Sequence, residues 1–78
     1  MERYFFHFRD DAWIVDEDGL ELEGPDAAKH EAVRCARQLA ASETEEGRLD
    51  LLHSVAVQDE RGATVISVTF ADVVEVIS

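Results

Sequence analysis

Glu2-Arg3-Tyr4-Phe5-Phe6-His7-Phe8-Arg9 is the stretch on which the fold turns. Tyr4, Phe6 and Phe8 fall on one side of a period-two pattern, and Arg3, Phe5, His7 and Arg9 fall on the other. That alternation belongs to a β-strand. Asp10 and Asp11 interrupt it, and Ala12, Trp13, Ile14 and Val15 resume in β-favouring residues, so residues 2–15 read as a hairpin. The next turn, Asp16-Glu17-Asp18-Gly19, ends in the residue type that adopts positive φ without penalty, and Leu20 to Glu23 reads as a short extension of the ribbon.

Gly24-Pro25-Asp26 announces a helix over about residues 27–42, with the Asp26 carboxylate placed to accept free backbone N–H groups and to complement the positive end of the dipole. At about 100° per residue, Ala28, Ala32, Cys35, Ala36 and Leu39 form one stripe with Val33 and Ala40 on its flank, while His30, Arg34 and Arg37 lie opposite. An alanine stripe lets the helix approach a sheet closely, which leaves Tyr4, Phe6, Phe8 and Trp13 to fill the space between them.

Beyond the helix, Glu43 to Asp50 is polar and Gly47 marks a helix stop or a loop position. His53 to Gln58, the turn Asp59-Glu60-Arg61-Gly62, and Ala63 to Phe70 then read as a second hairpin over 53–70. The expected fold is a single α+β domain, residues 1–78, of order ββαββ: a four-stranded, mainly antiparallel sheet with one helix packed on one face. The tail from Ala71 fits either a turn of helix or a bent strand.

The register of the second hairpin decides which valines face out. A glycine-bulged turn opposing Asp59 to Ala63 gathers Val55, Val57 and Val65 on one face, whereas a two-residue loop sends Val55 and Val57 in with Ile66 and Val68. In the first case Phe5, His7, Val55, Val57 and Val65 make an exposed interaction surface.

Composition narrows the function classes. Seven basic against eighteen acidic side chains give a net charge of -11, which removes the general attraction to phosphate backbones and anionic lipid, so neither nucleic acid nor a membrane is expected as partner. A hydrophobic fraction of 46% is too high for a disordered acidic tail. The lone Cys35 has no partner for an internal disulfide, and the start lacks a basic region followed by an apolar run, so a cytoplasmic location is expected.

Eight acids and no bases lie between Asp10 and Asp26, yet Pro25 stands where a calcium loop built on Asp16, Asp18 and Gly19 needs its bidentate glutamate. His7, His30, His53 and Cys35 lack the close pairing of zinc sites, and no serine, cysteine or carboxylate pairs with His7 in sequence. No catalytic residue, metal ligand or cofactor is assigned, and an enzyme is not expected. The ridge of His30, Arg34 and Arg37 is the one basic surface, suited to an anion or an acidic partner, although Asp26 to His30 and Glu31 to Arg34 are spacings that pair along an exposed helix.

The opening Arg3 to His7, the acidic turn Asp16 to Gly19 with Glu21 and Leu22, the helix entry Asp26 to Ala28, Glu31 with Ala32, the turn Asp59 to Gly62, and Phe70 to Asp72 resemble a group of short bacterial proteins of unknown function. Their shared start is Met-x-Arg-Tyr-Phe-Phe-His. The resemblance implies a stand-alone domain without assigned activity and carries no site residue; Asp11 stands where that group has a glycine. A looser likeness is to the N-terminal domain of the HicB-type antitoxins, which opens with a hairpin feeding a helix. The leading expectation is therefore a non-enzymatic protein-interaction module, a homodimer or the binder of a protein partner, whose sheet face or edge is covered by a copy of itself or by that partner. The alternative is an antitoxin-like or nucleic-acid-mimicking inhibitor whose carboxylates engage a basic partner.

Overall fold

β1 (Glu2–Arg9) occupies the middle of a five-stranded antiparallel sheet in the computed structural model, which describes residues 1–77. One edge of β1 pairs with β4 (Ser54–Gln58), from Phe5 opposite Gln58 to Arg9 opposite Ser54. Its other edge is shared. β2 (Trp13–Ile14) lies beside its end, with Ile14 opposite Phe8, and β3 (Leu20–Leu22) lies beside its start, with Leu20 opposite Tyr4. β5 (Thr64–Thr69) completes the order β2-β1-β4-β5. The extension at Leu20 is thus a strand in its own right, making five where four were expected.

α1 (Pro25–Glu45) starts two residues before and ends three after the expected 27–42. Pro25 holds the first helical position and Gly24 is the N-cap, so Asp26 lies within the first turn as a charge facing the dipole and does not cap it. At the far end Gly47, at φ 89°, donates to the Thr44 carbonyl and Arg48 donates to that of Glu43, the paired bonds of a glycine-terminated helix. That closure carries the helix past the expected stop at Ser42. Among the described residues no helix is long and apolar enough to cross a membrane.

The second hairpin combines features of both registers. Its turn is the bulged one: Gly62 sits at φ 80° and Asp59 N–H donates to the Ala63 carbonyl at 3.0 Å. A further irregularity follows at once, because Gln58 opposes Thr64 while Val57 opposes Ile66, leaving Val65 as an extra residue in β5. The extra residue shifts the pairing by one, so Val55 and Val57 join Ile66 and Val68 on a single face. β5 stops at Thr69, one residue short of the expected 70, where Thr69 and Asp72 form a reciprocal cap for α2 (Phe70–Val73).

α1 lies across β4 and β5 and touches α2. Its buried side chains are Ala28, Ala32, Ala36 and Ala40, spaced by four, and they meet Tyr4, Val55, Val57, Val68 and Phe70. The small-against-large arrangement holds, but Trp13 takes no part in it. Its pairing with Arg9 turns it to the opposite face of the sheet, where it is 43% exposed. Phe6 and Phe8 are only half-buried, because the helix is centred away from β1.

Candidate functional site

Two surfaces and one buried cluster carry the chain's reactive and recognition groups. The first surface is the side of the sheet without the helix. There His7 is 6% exposed, with Phe5 stacked on one side (centroids 6.5 Å apart, planes within 6°) and Trp13 on the other at 5.2 Å. Arg9 covers the Trp13 ring at 5.3 Å. Both ring nitrogens of His7 are engaged. Nδ1 accepts the Asp16 N–H at 3.0 Å and Nε2–H donates to Gln58 Oε1 at 3.1 Å, which fixes the tautomer and leaves no free nitrogen for a general base.

Asp16 is the group behind this arrangement. Between β2 and β3 no residue pairs with the middle of β1, and the Asp16 carboxylate takes that place: Oδ2 accepts the Phe6 N–H at 3.1 Å, and Oδ1 accepts the N–H groups of Asp18 and Gly19. Burial pushes its pKa up, but the backbone donors of Phe6, Gly19 and Asp18, with a smaller contribution from His7, outweigh burial and hold the carboxyl below its ordinary value. Gly19, at φ 70°, packs so closely that a Cβ there would lie 2.9 Å from Phe5 Cε2 and from the Tyr4 carbonyl oxygen. The sequence signal for this hub was an aspartate two and three residues ahead of Asp18 and Gly19, the spacing at which a side chain bonds its own turn.

The expected interaction surface is not assembled. Phe5 and His7 lie on the helix-free face, but Val55 and Val57 are in the core beneath α1, since the additional residue at Val65 shifts the pairing. Val65 itself is 41% exposed at the irregularity. Of the basic ridge, His30 is exposed, whereas Arg34 grips Glu31 with two nitrogens and Arg37 Nε donates to the Val73 carbonyl at 3.0 Å. Glu31 is thereby held below its ordinary pKa, chiefly by its hydrogen bond to Arg34. The two arginines are thus tied to the protein itself, and Asp26 and His30 make no ion pair among the described residues.

The second surface lies on the helix side, over β1. A cleft of about 440 Å³ separates α1 from the strand and is lined by Phe6, Phe8, Cys35, Leu39 and Val55, with Gln38 and Ser42 as its polar members. Ile14 and Leu20 share the strand register of Phe8 and Tyr4 and are 52% and 42% exposed. Cys35 Sγ lies 3.6 Å from Glu31 Oε2, and burial followed by the Glu31 charge raises its pKa, so it is a thiol and not an activated thiolate.

The buried cluster surrounds His53, which is 7% exposed beneath Phe8 and Phe70. Nδ1–H donates to Glu43 Oε2, and Asp50 Oδ2 lies 3.3 Å from Nε2 without hydrogen-bond alignment. The Glu43 hydrogen bond raises the His53 pKa; burial opposes it, and the charges of Glu43, Asp50 and Asp10 add to the rise. Glu43 also accepts the Asp50 N–H, so one carboxylate ties α1, the connection after it and the start of β4 together. Among the described residues no group of three or more histidines, cysteines and carboxylates is placed to hold a metal ion.

Comparison with curated proteins and with solved structures finds no match. A family profile does match, over residues 3–71, from the second residue of β1 into α2 and so across every strand and the main helix. The chain belongs to the family described as a domain of unknown function, DUF6894.

Proposed function

We propose that this domain is a non-enzymatic protein-interaction module that self-associates through the sheet face α1 leaves bare. The carrying observation is the charge on that face. By strand register it carries Arg3, Phe5, Arg9, Trp13, Glu21, Gln58, Thr64, Ser67 and Thr69 around the buried His7, Ser54 and Ala56, with Glu21 the single carboxylate on these strand positions, paired with Arg3, and Arg9 the second arginine. The whole chain carries -11, so this is a surface on which two copies meet without carboxylate facing carboxylate. Small side chains at Ala56 and Ser67 beside Phe5 and Trp13 suit the ~10 Å spacing of two packed sheets.

Four strands about 4.8 Å apart and about six residues long present roughly 400 Å² per copy, or about 800 Å² buried in total, which is the size of a weak, reversible contact. The same reading places the domain in a bacterial cytoplasm, on the lone Cys35 and the opening Arg3 to His7.

Sedimentation equilibrium tests it, with the emission of Trp13, the chain's single tryptophan, as a second readout. A concentration-dependent dimer is expected, abolished by Arg9→Glu, which turns the face negative, and by Trp13→Ala. A monomer at high micromolar concentration, or a dimer indifferent to both substitutions, refutes the reading.

A further inference from the structure

We propose that the cleft between α1 and β1 is the docking site for a cationic amphipathic helix of a partner protein. A helix about 10 Å across covers roughly two strands at 4.8 Å spacing, and α1 spends its width on β4 and β5. Tyr4 at the start of β1 is still buried against the helix, but the later part of the strand, at Phe6 and Phe8, lacks a full second layer. What lies there is apolar and accessible: Phe6 and Phe8 half-buried at the floor, Cys35 and Leu39 on the helix wall, Ile14 and Leu20 at the sheet edge. An apolar strip of this kind beside a helix is the place where a second helix lays its apolar side.

Charge identifies the occupant. The cleft shares Phe8, Leu39 and Ser42 with an adjoining pocket of about 270 Å³ whose lining carries Asp10, Asp11, Glu43 and Glu46 against Arg48 and His53; His53 is taken up by Glu43, which leaves Asp10, Asp11 and Glu46 facing Arg48. At its other end Glu31 stands beside Cys35, its charge matched by Arg34. A second copy of this chain would bring -11 onto the same rim, whereas lysines and arginines flanking an apolar stripe would meet the carboxylates. From Cys35 to Glu46 the cleft and the adjoining pocket together run roughly 16 Å along α1, the length of about three helical turns. This surface is on the opposite side of the sheet from the self-association face, so the two proposals stand or fall separately.

The probe is a synthetic peptide of about sixteen leucines and lysines with leucine at i, i+3, i+4 and i+7, set against a scrambled peptide of identical composition and a leucine–glutamate peptide of identical pattern. Binding is read by amide chemical shifts of isotopically labelled domain and by fluorescence anisotropy. Shifts at Phe6, Phe8, Ile14, Cys35 and Leu39 are expected, with the patterned cationic peptide bound about tenfold more tightly than either control. The exposed substitution Ile14→Lys, and separately Asp10→Asn with Asp11→Asn and Glu46→Gln, should each weaken it several-fold while the circular dichroism spectrum stays unchanged. Equal binding of the three peptides, shifts confined to Phe5, Trp13 and Ser67, or a dimer of the free chain that covers Ile14 and Leu39 would each overturn the proposal.

Discussion

Asp16→Asn tests how the divided edge of the sheet is held. The wild-type carboxylate uses both oxygens, Oδ2 for the Phe6 N–H and Oδ1 for those of Asp18 and Gly19. Asparagine keeps one acceptor and replaces the other with a donor, so either the strand N–H or the turn pair faces an NH₂ group. Leaving a partly buried N–H without a partner costs about 1–3 kcal/mol, and removing the charge from the surviving bonds costs about 1 more, giving a loss of about 2–4 kcal/mol at neutral pH.

The folded carboxyl titrates below its ordinary value of 3.8, so its stabilisation is complete above that value and disappears as pH falls through the lower, folded-state one. Urea denaturation of both proteins in parallel, at neutral pH and at successively lower values, isolates this effect, because every other carboxylate contributes equally to the two curves. The difference in stability should shrink once the pH drops below about 4. A difference under about 0.5 kcal/mol at neutral pH, or one that stays constant into acid, would refute the assignment of Asp16 as a substitute strand partner.

Ala36→Leu adds three heavy atoms where the helix meets the sheet with no exposed surface, and should destabilise by about 1–3 kcal/mol in chemical denaturation. Val57→Ala should cost about 1–3 kcal/mol while Val65→Ala stays within about 0.5, a contrast in unfolding midpoints that reports the one-residue shift in β5 directly. The His53 pKa is raised, chiefly by Glu43, so the stabilisation it provides is complete below the ordinary value of 6.5 and is lost as pH climbs through the folded-state value. Thermal midpoints should therefore fall over that window in the wild type and flatten in Glu43→Gln, which should itself cost about 1.5–3 kcal/mol below it.

The strand content was legible because Tyr4 to Phe8 and Ile66 to Phe70 alternate strongly and because Gly19, Gly47 and Gly62 all mark the turns where positive φ occurs. Helix ends were less so. A glycine-terminated closure at Gly47 is a cooperative set of backbone bonds, and its effect on Glu43 to Glu45 is not written in their side chains. The expected grouping of Val55 and Val57 with Phe5 and His7 differs from the structure for a related reason. Which valines face the helix depends on a single unpaired residue, and Thr64, Val65 and Ile66 are all good strand formers that give no hint of where it falls. Trp13 misled because its size suggested core, while its face was set by pairing with Arg9. Asp16 and Glu43 escaped because their partners, Phe6 N–H and His53, stand 10 residues away in the chain.

The bond between β1 and β4 joins the first strand of the chain to one that begins at Ser54, across the full length of α1. Severed at the solvent-exposed Gly47, the polypeptide yields one fragment with three strands and the long helix and another with the closing ribbon and α2. Neither fragment hides its own greasy side, and each supplies what the other needs. Besides closing α1 and bonding Glu43, the natural connector keeps two complementary pieces at high effective concentration, and supplying that proximity by other means, such as tethering each piece to one of two associating proteins, would turn reassembly into a reporter of their encounter.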